Sequence, residues 1–197
     1  MNINLTILFW ALPSFITLGV MRAGKRPTKE IFSLLGWSRG ALRYYLVGVV
    51  LALVIGGLTG LTFWLFARDL LLHPAAHTTQ AAYAHLTPGP VTFLSIFFSE
   101  AIFNTLGEEL FFRGLLGGWL MKRCGFFMGN SIQALLFVLP HTLLILLASP
   151  RYWFVLPFDL LAGWALGWLR FRSGSIWPGW LSHTLVNTVS DLFPLLC

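Results

Sequence analysis

The sequence predicts an all-α fold, a polytopic transmembrane helix bundle of about six spans in which residues 1–197 form a single domain. Of the 197 residues, 57% are hydrophobic and only 10% are charged, whereas an average soluble domain carries about 25% charged residues. The mean hydropathy is +0.77, and nine Trp and eighteen Phe add to the lipid-facing character. We therefore expect the lipid bilayer to surround the bundle.

The apolar stretches are separated by short polar segments. The first stretch, 5–21, has no basic residue before it and several directly after it, which favours a retained span over a cleaved signal peptide. An amphipathic stretch at 30–40 is expected at the interface. The polar segment 68–90 reads as a loop, and its His73 and His77 are interpreted as solvated histidines rather than metal ligands. The remaining predicted spans are 42–67, 91–121, 125–148, 152–169 and 175–196.

The basic residues predict an orientation. With six spans and both termini outside, ten basic residues lie on the cytoplasmic side and only Arg68 and Arg151 on the outer side. Cytoplasmic loops are rich in Lys and Arg, so this orientation fits and the inverted one does not. The net charge of +6 therefore indicates a cytoplasmic membrane surface, and we expect no nucleic-acid partner. The ten residues on the cytoplasmic side are Arg22, Lys25, Arg26, Lys29, Arg39, Arg43, Lys122, Arg123, Arg170 and Arg172.

Three charges stand in the middle of the third predicted span, in the run Gly-Glu-Glu-Leu-Phe-Phe-Arg-Gly at 107–114. A charge at membrane depth costs roughly 2.5–3.5 kcal/mol on insertion scales, so it rarely lacks a role. On a helix, Glu109 and Arg113 lie one turn apart with the acid first, the favourable order for an ion pair. Glu108 lies roughly 100° around the helix from Glu109 and points away from the arginine. We therefore predict a structural Glu109–Arg113 ion pair and a Glu108 carboxylate that is free for chemistry.

Two further pairs of residues, each with one histidine, occur in predicted spans at helical spacing. They are Phe137 with His141, and His183 with Asn187. Because an unpaired imidazole in lipid is costly, both histidines should face the bundle interior. Glu108 could then act as a general base towards water. The imidazoles could orient that water or, with Asn187, stabilise an oxyanion. The same glutamate and histidines could instead hold a catalytic zinc ion.

Helix–helix adhesion could explain any one of these groups, but it does not readily explain the whole set. The other acids in the apolar segments, Glu100, Asp159 and Asp191, are interpreted as interfacial, paired or cavity-lining groups. Gly163 and Gly167 predict a close approach between helices.

Three motifs in chain order resemble those of the CPBP (Abi) family of CAAX proteases and bacteriocin-processing enzymes. They are Glu-Glu-x-x-x-Arg at 108–113, Phe-x-x-x-His at 137–141 and His-x-x-x-Asn at 183–187. The resemblance covers roughly residues 100–187, within a motif-bearing core of about 91–196. It implies an integral-membrane endopeptidase with its active site in a water-filled cavity inside the membrane.

The resemblance also implies residue roles. Glu108 would activate water with support from its motif partners, His141 would help to position the water, and His183 with Asn187 would form the oxyanion site. Such enzymes have been described both as zinc-dependent and as metal-independent, so zinc held by Glu108, His141 and His183 stays possible. We favour metal-independent chemistry, because the glutamate that would complete a zinc set is also the best candidate base.

The resemblance does not identify the substrate. The eukaryotic branch removes the last three residues of prenylated Cys-a-a-X proteins, whereas short bacterial members include bacteriocin-processing and self-immunity proteins. The short chain favours a prokaryotic inner-membrane protease that cleaves a peptide or membrane protein, with prenylated substrates not expected. The alternatives are a non-proteolytic scaffold or self-immunity protein that binds a partner, and a small transporter, which the lack of an inverted repeat disfavours. The cleavage site and the oligomeric state stay open.

Overall fold

The computed structural model describes residues 6–76 and 78–196, which form helices and no strand. This confirms the predicted all-α bundle. The helices of the first half are α1 (Thr6–Ala23), α2 (Thr28–Leu35), α3 (Leu42–Phe66), α4 (Arg68–Leu72) and α5 (Thr79–Tyr83). The second half contains the long helix α6 (Pro90–Cys124), α7 (Phe126–Leu147), a 3₁₀ turn (Pro150–Val155) that continues into α8 (Leu156–Ser173), and α9 (Trp177–Leu196).

Four helical units of the described chain are long and apolar enough to cross a membrane: α3, α6, α7 and the unit Pro150–Ser173. The first predicted span forms α1, in which the shorter stretch Phe9–Ala23 is apolar, and residue 5 lies outside the described part. The last predicted span forms the 20-residue helix α9, which is not among the four. The total of six spans therefore stays a prediction.

Polar and apolar side chains are distributed as in a membrane protein. Large apolar side chains are exposed along the helices; Leu46, Val91 and Leu146, for example, have 62%, 78% and 77% of their surface accessible. Several charged groups, in contrast, are buried in the bundle, and Glu109 and Arg113 are both 0% exposed. Exposed apolar surface on this scale marks contact with a membrane or a partner. Together with the four helical units long enough to cross a membrane, this surface indicates an integral membrane protein.

The segment 68–90 corrects one prediction. It is not entirely a loop, because it contains the short helices α4 and α5. Leu70 and Leu71 of α4 are buried against Tyr152, which gives this helix an apolar anchor. His73 and His85 are exposed, as expected of solvated histidines, and His77 lies outside the described residues.

Helix α9 holds the bundle together, because it packs along α3 and also contacts α6 and α8. A methyl group on Gly48 of α3 would lie 2.8 Å from the Pro178 carbonyl oxygen, so the absence of a side chain permits this close contact. Thr105 of α6 and Thr184 of α9 share a buried hydrogen bond of 2.8 Å. These contacts place the polar middle of α6 directly against α9.

The close approach predicted for Gly163 and Gly167 is confirmed between α8 and α7. A methyl group on Gly167 would lie 1.9 Å from Asn130 Oδ1, and one on Gly163 would lie 3.1 Å from the Phe137 ring. The buried Gln133 amide donates to the Gly163 carbonyl at 2.8 Å. The glycines thus let α7 place its Phe137 ring in the centre of the bundle.

Candidate active site

Helix α6 is irregular where it carries the charged run. A π-helical segment at Glu100–Thr105 is followed by one short α-helical stretch, Leu106–Glu108, and by a second π-helical segment at Glu109–Leu116. π-helical turns are rare and often occur at functional sites. They also break the regular hydrogen-bond ladder, and in the first segment the Ala101 carbonyl accepts a bond from Trp180 Nε1 of α9 at 2.9 Å.

Glu109 binds two groups at once. Its Oε1 lies 2.9 Å from Arg113 Nη1 and accepts a hydrogen bond from His183 Nδ1 at 3.0 Å. The predicted Glu109–Arg113 ion pair is therefore confirmed, and both of its side chains are fully buried. A methyl group on Gly179 would lie 3.2 Å from Glu109 Oε2, so α9 approaches this carboxylate closely. The sequence did not predict that the same carboxylate also orients His183.

Glu108 is the less constrained of the two acids. Its Oε2 lies 3.8 Å from His183 Nε2, the ring nitrogen that does not face Glu109. Among the described residues, His183 is its only partner within salt-bridge distance. The Glu108 side chain keeps 12% of its surface accessible, whereas that of Glu109 keeps none. One carboxylate is thus fixed in an ion pair with an arginine, whereas the other is largely buried but keeps some accessible surface.

The Phe137 ring forms the centre of the aromatic packing around these groups. The Arg113 guanidinium carbon lies 4.0 Å from the ring centroid. The same ring meets His183 edge-on at 5.7 Å between centroids and His141 at 4.7 Å. Phe137 is 2% exposed. It therefore packs against the guanidinium and against both imidazoles at the same time.

His141 has its own anchor. Its Nδ1 lies 2.9 Å from the Phe137 carbonyl oxygen one turn earlier. Because that carbonyl can only accept, Nδ1 carries the proton and Nε2 is left for another partner. His141 lines two cavities of the bundle. A neutral ring with a free Nε2 lone pair is suited to accept a hydrogen bond from water.

Asn187 lies one turn beyond His183, and its Nδ2 donates to Glu100 Oε2 at 3.0 Å. The same oxygen accepts a bond from Asn104 Nδ2 at 2.9 Å. Glu100 is 3% exposed, so this acid is paired and buried, one of the interpretations made from the sequence. Its direct contact with Asn187 was not foreseen, because nothing in the spacing of 100 and 187 links the two.

Two neighbouring cavities adjoin the histidines and Asn187, whereas Glu108 lines neither of them. The smaller, about 40 Å³, is lined by His141, His183 and Asn187, with Phe137 and Asp159. This is space for at least one water molecule, since about 10–15 Å³ is the minimum on this measure. The larger, about 240 Å³, shares His141, Asn187 and Asp159 with the first and extends to Thr78, Thr79 and Gln80 beside α5. The interpretation of Asp159 as a cavity-lining residue is confirmed.

The described residues do not assemble a metal site. No three His, Cys, Asp or Glu side chains within 6–76 and 78–196 come close enough together to hold a metal ion. The set expected for zinc, Glu108, His141 and His183, therefore does not converge in this arrangement. Glu108 and His183 are close to each other, whereas the contacts of His141 are with Phe137.

Of the comparisons with known proteins, the one with protein families agrees with the motifs. Searches of curated proteins and of solved structures each returned no significant match. The family model described as type II CAAX prenyl endopeptidase Rce1-like matches residues 90–189, just over half of the chain. This region begins with α6 and includes all three motifs and both cavity-lining histidines. The chain therefore belongs to the Rce1-like family of type II CAAX prenyl endopeptidases, a family of membrane proteases.

Proposed function

We propose that this protein is an intramembrane endopeptidase that hydrolyses a peptide bond of a membrane-associated protein or peptide. The observation that carries the proposal is the unequal pair of adjacent acids on α6. Glu109 forms an ion pair with Arg113 and accepts a hydrogen bond from His183 Nδ1. Glu108 has no Arg or Lys partner among the described residues, and its one contact of this kind is with Nε2 on the opposite edge of the same imidazole. A buried scaffold does not need such an unpaired carboxylate, because burying a charge without a partner is costly.

In the proposed reaction Glu108 is the general base. It takes a proton from a water molecule as the water oxygen attacks the carbonyl carbon of the scissile bond. The C–N bond then breaks, and Glu108 returns the proton to the leaving amine. General-base catalysis of this kind contributes typically about 10²–10⁴-fold to the rate. His141, whose Nδ1 is held by the Phe137 carbonyl, positions the water through Nε2.

His183 and Asn187 supply the oxyanion site. Because the Glu109 carboxylate fixes Nδ1–H, a doubly protonated His183 ring presents Nε2–H to the developing oxyanion. Asn187 lines the same small cavity and donates from its carboxamide. Arg113 and Phe137 keep Glu109 and the rings in place. Removing one such donor typically costs about 10²–10³ in kcat.

No step of this reaction passes through a metal, because Glu108, His141 and His183 do not form a ligand set in this arrangement. We therefore expect cleavage to continue in the presence of EDTA or 1,10-phenanthroline, and purified active protein to contain less than about one-tenth equivalent of zinc. Loss of activity on chelation, with recovery on zinc addition, would contradict this mechanism but not the assignment as a protease.

We also propose a prokaryotic inner-membrane location with both termini outside. The support is the distribution of basic residues, ten on one side and two on the other. The fold joins segments that this topology places on one side: Arg170 donates to the Ser33 and Leu34 carbonyls of α2, and Arg151 pairs with Asp69. The substrate of such a protein is a membrane-anchored protein or peptide without a prenyl group.

The central experiment compares wild type and Glu108→Gln in proteoliposomes. The probes are a panel of single-span reporter proteins and Cys-terminated peptides, prenylated and unprenylated, with products identified by mass spectrometry. Glu108→Gln is nearly isosteric, so we expect unchanged thermal unfolding and at least a roughly 100-fold slower cleavage. Glu30→Gln, the same change at an exposed site, should cleave at the wild-type rate. Cleavage at the wild-type rate by Glu108→Gln would remove Glu108 from the mechanism. No cleavage by wild type, together with partner binding or protection that survives Glu108→Gln and His183→Ala, would favour a scaffold or self-immunity function.

A further inference from the structure

A second group of buried acids lies beside the proposed oxyanion site and has no role in the reaction as described so far. Glu100 on α6 and Asp191 on α9 are 3% and 1% exposed. Asp191 Oδ1 accepts a 2.6 Å bond from Thr79 Oγ1, and its buried Oδ2 has no donor among the described residues.

Glu100 is the acid that contacts the proposed oxyanion site. Its Oε2 accepts hydrogen bonds from two carboxamides, those of Asn104 and Asn187. A carboxylate oxygen that receives two N–H donors is a fixed acceptor at this place.

The consequence concerns Asn187. A carboxamide can turn over and exchange its nitrogen and oxygen, but a carboxylate only accepts hydrogen bonds. Asn187 must therefore direct Nδ2 towards Glu100, and the 3.0 Å bond uses one of its two N–H groups. The second N–H is not used by this bond, and Asn187 lines the small cavity together with His183. Without Glu100, nothing in this contact would favour the donor over the acceptor orientation.

We propose that Glu100 is a positioning residue that holds the Asn187 carboxamide with its nitrogen towards the reacting carbonyl. This inference rests on the proposed protease function and adds a residue outside the three motifs. It predicts that an acceptor atom at position 100, rather than a charge there, maintains catalysis.

The test uses kcat and KM for one reporter peptide in proteoliposomes. Glu100→Met removes the acceptor and should lower kcat about 100-fold with KM within about threefold, at the lower end of the range of about 10²–10³ expected for Asn187→Ala. Glu100→Gln keeps an acceptor oxygen and should lose less than about fivefold. Because Asn187 is the group through which Glu100 acts, Glu100→Met should cause no further loss in an Asn187→Ala background. Glu30→Met, at an exposed position, is the matched control and should behave as wild type.

If Glu100→Met cannot be purified folded, Glu100→Asp serves instead. It keeps the charge but withdraws the acceptor by one methylene, and it should lower kcat about tenfold. Wild-type kcat in Glu100→Met or Glu100→Asp, or losses that multiply in the double variant, would overturn the positioning role while Glu108→Gln stays inactive. Cleavage that survives Glu108→Gln would overturn the protease mechanism and this inference together.

Discussion

The buried Glu109–Arg113 pair allows a quantitative prediction of stability. Arg113→Met keeps much of the side-chain volume but leaves the fully buried Glu109 carboxylate without its cation. Its Oε2 has no hydrogen-bond donor among the described residues, so His183 is its remaining partner. Breaking a buried ion pair by removal of one member costs about 3–5 kcal/mol. The contact of the guanidinium with the Phe137 face is lost as well.

For a chain of this size, 1 kcal/mol corresponds to about 2–4 °C in Tm. Thermal unfolding of purified protein in one detergent should therefore show Arg113→Met about 6–20 °C below wild type. The chain contains a matched control in Arg26 and Glu30, which have the same i, i+4 spacing and a 3.4 Å contact but side chains that are 63% and 45% exposed. An exposed pair contributes about 0–1 kcal/mol, so Arg26→Met should shift Tm little.

The double variant Glu109→Gln/Arg113→Met separates charge from packing. It removes both charges, while the carboxamide oxygen introduced at position 109 can still accept a hydrogen bond from His183. We expect it to be more stable than Arg113→Met, with a coupling free energy of at least about 2 kcal/mol. The reasoning would be refuted if Arg113→Met and Arg26→Met unfolded at the same temperature, or if the two changes at 109 and 113 were simply additive.

Three further predictions follow from other contacts. His183→Ala should lower kcat about 10²–10³-fold yet unfold closer to wild type than Arg113→Met, because the buried ion pair remains; a Tm as low as that of Arg113→Met would contradict this. Gly167→Ala should cost about 1–3 kcal/mol by overpacking against α7, whereas Gly57→Ala, with open space around the added methyl group, should not destabilise; equal Tm values would be the contrary result. The hydrogen bond from Arg151 lowers the pKa of Asp69, so the ion pair stabilises the folded protein slightly while Asp69 is ionised. This stabilisation is complete above the unfolded-state pKa of about 3.9 and is lost as the pH falls through the lower pKa of the folded state. The Tm difference between wild type and Asp69→Asn should accordingly shrink from about pH 5 to about pH 3, and a difference independent of pH would exclude this ion pair as its cause.

Much of the architecture could be predicted because it depends on local patterns. Hydropathy alone located α3, α6, α7 and α8 to within a few residues, since a bilayer imposes long apolar helices. The Glu109–Arg113 ion pair followed from i, i+4 spacing, which a helix converts directly into contact. The close packing at Gly163 and Gly167 followed in the same way from small residues one turn apart.

The parts that could not be predicted depend on contacts between distant segments. The π-helical segments of α6 leave no signature in residue spacing, because packing against α9 stabilises them, as the bond from Trp180 to the Ala101 carbonyl shows. The second partner of Glu109, His183, is 74 residues away along the chain. Glu100 was recognisable only as a charge in an apolar segment, and its bond to Asn187 spans 87 residues. Sequence reasoning could therefore propose the members of the site, but not which of them hold one another.

The charge balance of the site gives a physical reason for two adjacent glutamates. Arg113 balances Glu109, so the proposed reaction has to manage only Glu108 and His183, whose Oε2 and Nε2 atoms are 3.8 Å apart. Opposite unit charges at about 4 Å attract by about 4 kcal/mol at an effective dielectric constant of about 20. When Glu108 takes the proton from water, its negative charge disappears as an oxyanion forms, and that anion meets the same His183 ring. In the proposed reaction, negative charge thus passes from Glu108 to the oxyanion at the same Nε2 edge of His183, and a protonated ring would pair with it at both stages. This balance requires that Glu109 never accept the proton, which is the reason that a fully buried arginine has to stay beside it.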